Sequence, residues 1–124
     1  MIEVTLILFL LFSIKHFIID FPLQKPYQWM NKGTYGHMGG ILHAGLHALG
    51  TLLVLLPVTL VFWPSLILSI LDGVVHYHID WAKMNINSKY GWKADQHEQF
   101  WILLGIDQLL HYITYIGIIA LVVL

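Results

Sequence analysis

The strongly apolar segments of this 124-residue chain each contain ionisable residues spaced four apart. These residues are His16 and Asp20, then His43 and His47, then Asp72, His76 and Asp80, and finally Asp107 and His111. Residues at positions i and i+4 lie on the same face of an α-helix. Unpaired imidazole and carboxylate groups cost several kcal/mol each in an apolar environment. These faces must therefore meet one another or bind something that satisfies them.

The composition indicates an integral membrane protein. Hydrophobic residues make up 58% of the chain and charged residues only 10%, whereas soluble domains contain about 25% charged residues. The mean hydropathy is +0.74. The net charge is −1 and the sequence contains no arginine, so a nucleic-acid partner is excluded and the lipid bilayer is the expected environment.

The apolar stretches predict the fold class. A bilayer core about 30 Å thick requires about 20 helical residues. Four stretches have this length, at residues 2–21, 38–56, 64–82 and 98–122. We therefore predict an all-α fold, an integral membrane four-helix bundle formed by a single domain that covers residues 1–124. The polar connections at residues 22–37 and 83–97 are rich in turn-forming residues and predict loops, and Pro64 suits the first turn of the third span.

The lysines predict the orientation of the bundle. They lie in or near the first and third connections, while the connection between the second and third spans has none. Positively charged loops face the cytoplasm. Both termini are therefore expected on the same, non-cytoplasmic side.

The polar residues of the four spans fall at a common depth. At 1.5 Å per residue, His16, His47, His76 and Asp107 lie roughly 9 to 14 Å below the cytoplasmic boundary. Asp20, His43 and Asp80 lie one turn shallower, and Asp72 and His111 one turn deeper. Bundle cores that bind two metal ions receive ligands from facing helices in this way. Interhelical hydrogen bonding and an ion or proton pathway are the alternative interpretations.

The nine candidate ligands predict a metal centre. They are His16, Asp20, His43, His47, Asp72, His76, Asp80, Asp107 and His111. One zinc ion requires only three or four ligands, so we expect two ions, with zinc favoured over iron or manganese. The chain has no cysteine, so imidazole and carboxylate must supply the ligands. Some carboxylates are expected to orient histidines instead, and the deepest residues, Asp72 and His111, are the first candidates for such a supporting role.

Three segments resemble the signatures of a small bacterial and phage membrane-protein family, the domain-of-unknown-function family 3307. They are residues 16–24, 76–83 and 107–111. The likeness spans nearly the whole chain and includes a histidine in the second span. It implies a bacterial inner-membrane location and a single site. The residues that this site would contain are Asp20, Gln24, His76, Asp80, Lys83, Asp107, Gln108 and His111.

A looser likeness is to membrane-bound metal-dependent hydrolases and zinc phospholipase C-type enzymes, which also bind metals through His and Asp four apart. We therefore predict a metal-dependent hydrolase that acts on a lipid or polyprenyl phosphate or ester near the cytoplasmic leaflet. Asp20 and Asp80 are the candidate catalytic bases. The candidate substrate-binding residues are Gln24, Lys25, Lys83 and Gln108.

Two other classes of function stay open. A divalent-cation or proton transporter or channel would also place His and Asp four apart, and a homodimer could build its path. Its weakness is that stretches such as residues 52–56 and 116–123 in the outer half contain no polar side chains. A non-catalytic membrane interaction protein is the third class.

Overall fold

The computed structural model describes all residues 1–124 and contains five helices. They are α1 (Ile2–Asp20), α2 (Pro26–Trp29), α3 (Met38–Thr59), α4 (Phe62–Tyr90) and α5 (Glu98–Val123). The prediction of an all-helical fold is confirmed.

Three helices, α1, α3 and α5, are long and apolar enough to cross a membrane. The 29-residue α4 is longer than any of them, but its carboxylates, lysines and asparagines make it less apolar. Large apolar side chains such as Leu6, Leu53, Ile67 and Leu109 are exposed on the outside of the molecule. A surface of this kind suits a lipid environment. The membrane-crossing role of α4 stays a prediction.

The long helices pack so that α3 lies along α4, α4 also contacts α5, and α1 contacts both α3 and α5. A buried hydrophobic core formed by Leu8, Phe12, Leu55, Tyr115 and Ile118, with Ile119 beside it, joins α1, α3 and α5. At the same end of the molecule, residues near both termini and residues of the α3–α4 connection line a common cavity. The core therefore occupies one end of the helix assembly, and the polar residues occupy the rest of its interior.

The connection between α3 and α4 contains only Leu60 and Val61, whereas Pro57 and Pro64 suggest a longer break between the helices. Helix α3 continues through Pro57 to Thr59 and ends at Leu60, which has a left-handed φ of 57°. Pro57 has no N–H to donate to the Leu53 carbonyl, and the helix ends two residues after it. Pro64 lies in the first turn of α4, as predicted.

The two polar connections contain more helix than predicted. The expectation of a loop is wrong for residues 83–90, which extend α4 to Tyr90, and Gly91 ends the helix with a φ of 64°. The side-chain amide of Asn85 donates hydrogen bonds to the carbonyls of Trp81 and Gly33. Asparagine thus supports a helix here, where its usual preference indicates a turn. In the first connection, Pro26 begins the short helix α2.

Gly73 keeps α3 and α4 close together. A Cβ atom at this position would lie 2.9 Å from Ala48 Cβ and 3.2 Å from the Ala44 carbonyl oxygen. We expect Gly73→Ala to force the helices apart and lower the free energy of unfolding by about 1–3 kcal/mol. Thermal unfolding in detergent micelles measures this.

The matched control is Gly45→Ala on the same pair of helices. No atom lies within 4 Å of a Cβ placed there. Because alanine favours helix over glycine by about 1 kcal/mol, this variant should unfold at the same temperature as the parent or higher. Equal melting temperatures for the two variants would contradict the close-contact role of Gly73.

Candidate metal centre

Asp20, the last residue of α1, is surrounded by three histidines. The Nε2 atom of His47 lies 2.8 Å from its Oδ1, and that of His43 lies 3.1 Å from the same oxygen. The Nε2 atom of His16 lies 3.0 Å from Oδ2. Helices α1 and α3 thus direct imidazole nitrogens onto one carboxylate.

Asp80 on α4 is the second carboxylate of this region. Its Oδ2 lies 3.2 Å from His76 Nε2 and 3.4 Å from His43 Nε2. Its Oδ1 lies 3.3 Å from His111 Nε2, which belongs to α5. A lysine, Lys32, places its Nζ 2.9 Å from Oδ2. Asp80 therefore gathers side chains from α3, α4, α5 and the connection that precedes α3.

The surroundings of the two carboxylates merge into one buried centre. The Nε2 atoms of His43 and His76 lie 3.2 Å apart, and His76 Nε2 lies 3.8 Å from Asp20 Oδ1. A tetrahedral zinc ion with Zn–N bonds of about 2.0–2.1 Å holds its ligand atoms about 3.3 Å apart. The spacing of these donors therefore suits a metal ion.

Two sets of buried residues could hold a metal ion. The Asp20 group consists of Asp20, His43, His47 and His76, and the Asp80 group consists of His76, Asp80 and His111. In each group the potential ligand atoms lie within 4.8 Å of one another. His76 belongs to both groups, so the two sites are contiguous.

The outer nitrogens of two histidines have partners that orient the rings. Gln28 on α2 places its Oε1 3.3 Å from His43 Nδ1, and the Tyr115 hydroxyl lies 2.8 Å from His16 Nδ1. Such contacts direct the Nε2 atoms inward and are typical of metal-binding histidines. The Nδ1 atoms of His47 and His76 are buried without a hydrogen-bond partner. Those two rings stack on each other with their centroids 3.6 Å apart.

Asp72, one of the nine candidate ligands and a first candidate for a supporting role, lies apart from both groups. Its Oδ2 lies 2.7 Å from Lys15 Nζ and accepts a 2.5 Å hydrogen bond from the Thr51 hydroxyl. Lys15 also donates to Thr51, at 2.9 Å. All three side chains are buried. Asp72 thus neutralises a lysine inside the helix assembly, and the pair satisfies the charge of both residues.

Asp107 and Gln108 lie at the edge of the Asp80 group. Asp107 Oδ1 is 3.5 Å from His111 Nε2, and its Oδ2 accepts a 3.0 Å hydrogen bond from the Gln108 side chain. Gln108 Oε1 in turn lies 2.8 Å from His16 Nε2. Gln108, predicted to bind substrate, therefore holds together side chains of the centre itself. His111, one of the nine candidate ligands and a first candidate for a supporting role, belongs to the Asp80 group.

The other predicted substrate-binding residues do not form a common mouth. The Gln24 side chain donates a 2.6 Å hydrogen bond to the Asp20 carbonyl oxygen, and its Oε1 is buried without a partner. Lys25 is exposed and contacts the Pro22 carbonyl at 3.4 Å. Lys83 lies elsewhere, in a groove between α4 and α5.

Sequence reasoning missed the buried lysines and the polar side chains that support the centre. Lys32 and Gln28 come from the connection between α1 and α3, where a lysine had suggested only membrane orientation. Lys15 carried a signal, because a charge inside an apolar span requires a partner. Nothing in the sequence singled out Thr51 or Tyr115.

A comparison with protein families identifies the chain. The family model described as "Protein of unknown function (DUF3307)" matches residues 7–124. The chain belongs to the DUF3307 family. The resemblance inferred from three short segments is thus confirmed. The matched residues of this DUF3307 protein include every member of the Asp20 and Asp80 groups. Neither the curated proteins nor the solved structures give a significant match.

Proposed function

We propose that this DUF3307 protein is a metal-dependent membrane hydrolase that acts on a lipid or polyprenyl phosphate or ester. The observation that carries the proposal is the convergence of five histidine Nε2 atoms on the carboxylates of Asp20 and Asp80. Those histidines are His16, His43, His47, His76 and His111. Imidazole and carboxylate in this number and at this spacing form a typical donor set for divalent transition metals.

The two contiguous groups suit two ions, with zinc as the first choice. If His76 serves the Asp80 group, each ion has three protein ligands. These are Asp20, His43 and His47 for one ion and His76, Asp80 and His111 for the other. Three protein ligands leave a coordination position open, as in catalytic zinc sites. His16 lies beside Asp20 and is available as a further ligand.

The proposal includes a place for the chain in the membrane. Helix α4 would be the fourth span of a four-helix bundle in the bacterial inner membrane. The cavity shared by the termini and the α3–α4 connection marks one end of the molecule, and four lysines lie towards the other end. They are Lys25, Lys83, Lys89 and Lys93. The positive-inside rule puts that end in the cytoplasm and both termini outside. Lys15 and Lys32 are buried and do not contribute to this loop charge.

The chemistry of the residues suits an anionic substrate. Bound metal would polarise a phosphoryl or acyl oxygen and make water nucleophilic at neutral pH. The carboxylate oxygen of Asp20 or Asp80 that does not bind metal would accept a proton from that water. Lys32, 2.9 Å from Asp80 Oδ2, places a fixed positive charge beside the centre, where it can stabilise negative charge that develops on the substrate.

The test is the metal content of protein purified in detergent without added metal. We expect about two zinc ions per chain, since the ligands suffice for two three-ligand sites. His76→Ala should remove at least one ion, because this residue joins both groups. The matched control is His78→Ala. His78 is exposed and its ring nitrogens hydrogen-bond with the Tyr35 hydroxyl and the Val74 carbonyl, outside both metal groups, so the metal content of this variant should equal that of the parent.

The metal-loaded protein should hydrolyse phosphatidic acid or a polyprenyl phosphate. The His76→Ala variant should not hydrolyse either compound. A parent protein without metal, or equal metal in both variants, would contradict the metal centre. Bound metal without turnover of any lipid phosphate or ester would contradict the hydrolase.

A transporter is the second candidate, and the buried hydroxyl residues of the outer half bear on it. Thr51, Ser65 and Ser69 are buried polar residues on the side of Asp72 away from the metal groups, so the outer half is less uniformly apolar than its stretches of leucine and isoleucine suggest. The Thr51 hydroxyl donates to Asp72, and the Ser69 hydroxyl donates to the Ser65 carbonyl. The Ser65 hydroxyl contacts the Thr59 hydroxyl and the Val61 carbonyl. These hydrogen bonds favour a packing role. Zinc flux into proteoliposomes that is abolished by His47→Ala would instead establish transport.

A further inference from the structure

A groove runs between α4 and α5 on the outside of the molecule. Its volume is about 430 Å³ and eight of its eleven lining residues are hydrophobic. Val74 and Leu110 lie at one end, and Lys83 and Ile86 lie at the other. Ligand pockets typically occupy about 300–1,000 Å³. The groove is therefore large enough for a small ligand or for part of a lipid.

The groove reaches the metal centre at Asp107. This residue is only 3% exposed, it lines the groove, and its Oδ1 has no hydrogen-bond partner. The same oxygen lies 3.5 Å from His111 Nε2 of the Asp80 group. At 3.5 Å this contact is long for a hydrogen bond, and a buried carboxylate oxygen without a close donor is costly, so a ligand that supplies a donor at this point would be stabilised.

Two other grooves on the sides of the helices have a similar size but lack this feature. The α3–α4 groove has a volume of about 450 Å³ and the α1–α3 groove about 360 Å³. No residue that lines either of them has a buried side-chain nitrogen or oxygen without a hydrogen-bond partner. The α4–α5 groove thus differs from the other two because Asp107 connects it to the metal centre. Ordinary bilayer lipids would coat a groove that lacks such a residue.

We propose that the α4–α5 groove admits a lipid phosphate from the bilayer and holds its hydrocarbon chain while the head group reaches the centre. This inference rests on the proposed hydrolase function and specifies the route of its substrate. The hydrocarbon chain of the lipid would lie on Val74, Val75 and Leu110. Lys83 would bind the phosphate by charge attraction, and Asp107 Oδ1 would accept a hydrogen bond from a hydroxyl of the head group.

The residues suit this occupant better than a second protein chain. Lys83 at the end of an apolar groove matches the arrangement of charge and hydrocarbon in an anionic lipid. A long lysine side chain can lay its methylenes along the apolar wall and keep its ammonium near the membrane surface. The groove also opens onto the apolar exterior of α4 and α5, where Val74, Ile106 and Leu110 are exposed, so a lipid can enter it without crossing water.

The test uses phosphatidic acid with a photoreactive diazirine in its acyl chain. The full-length protein, in phosphatidylcholine nanodiscs that contain a small fraction of this probe, is irradiated and the labelled residues are mapped by mass spectrometry. We expect labelling in the α4–α5 groove to exceed that in the α1–α3 groove several-fold. An excess of unlabelled phosphatidic acid should reduce the first labelling and leave the second unchanged.

A variant that fills the groove provides the decisive comparison. Ile106→Trp should abolish the competable labelling, and Ala82→Leu, which narrows the opposite wall, should reduce it. The control is Leu109→Trp, on the same helix and similarly exposed but outside the groove. It should be labelled like the parent. Because both tryptophan variants add the same side chain to α5, a difference between them reports on the groove.

The outcomes separate this inference from the hydrolase proposal. Competable labelling without hydrolysis would support the groove and overturn the enzyme. Hydrolysis with equal labelling of all helix surfaces would support the enzyme and overturn the groove. Labelling that unlabelled lipid does not reduce, or protein–protein cross-links in place of lipid labels, would also overturn the groove as a lipid site.

Discussion

Asp20→Asn should abolish the high-affinity binding of one of the two metal ions, the one assigned to the Asp20 group. The carboxylate of Asp20 lies within about 3 Å of three histidine nitrogens, those of His16, His43 and His47. An amide carries no negative charge, and its NH₂ group would face imidazole nitrogens that a metal needs. Loss of a residue that merely supports a ligand weakens metal binding by about 10–100-fold, so the loss of this central ligand should exceed that range. Competition with a zinc chelator measures the affinity.

The control for this variant is Asp95→Asn, which makes the same chemical change at an exposed position in the connection before α5. Its zinc affinity should equal that of the parent. Circular dichroism should show that both variants are helical. If Asp20→Asn bound zinc as tightly as Asp95→Asn, Asp20 would not be a ligand and the Asp20 group would have to be abandoned.

Asp72→Leu should destabilise the protein severely. The variant leaves Lys15, which is 6% exposed, without the carboxylate that lies 2.7 Å from its Nζ. Removing one partner of a buried ion pair typically costs about 3–5 kcal/mol, because the other charge stays buried and uncompensated. We expect a large fall in the temperature of thermal unfolding in detergent.

The double variant Lys15→Met, Asp72→Leu should recover most of this loss. Replacing both partners of a buried ion pair by apolar side chains of similar size is often neutral or stabilising. The double variant should also keep its metal, because the structure places Asp72 outside both groups. A stable Asp72→Leu single variant would show that Lys15 reaches solvent, and loss of metal from a folded double variant would return Asp72 to the metal ligands.

The four-residue spacing predicted the helices and much of the site. His16 and Asp20, His43 and His47, and His76 and Asp80 do lie on helix faces that point to one interior, since spacing alone determines which residues share a face. Rotation of one helix relative to its neighbours is a property of packing. Asp72 shares the face of His76, yet it lies one turn earlier on α4, where the neighbouring side chains are Lys15 and Thr51 and not histidines.

Contributions from the connections could not be predicted. Lys32 and Gln28 reach the centre because the chain after α1 folds back over the helix ends, and the path of such a segment depends on tertiary contacts. The end of α4 was misplaced because Lys83, Asn85 and Asn87 are polar, and polarity near a membrane boundary was taken to indicate a loop. Without a glycine before Gly91, nothing in that stretch ends the helix.

The wide distribution of the polar residues along the chain has a consequence for biogenesis. Lys15 and Asp72 are 57 residues apart in sequence, so α1 is synthesised well before its partner on α4. An unpaired lysine or aspartate at the middle of a bilayer helix costs about 2.5–3.5 kcal/mol during insertion by the translocon. The mean hydropathy of α1 is high, at 2.1. This offsets the cost of its charged residues until α4 has been synthesised and can pair with them. In the proposed four-span arrangement, the less apolar α4 would insert beside α1 and α3, and its carboxylates would pair there with a lysine and histidines that are already in the membrane.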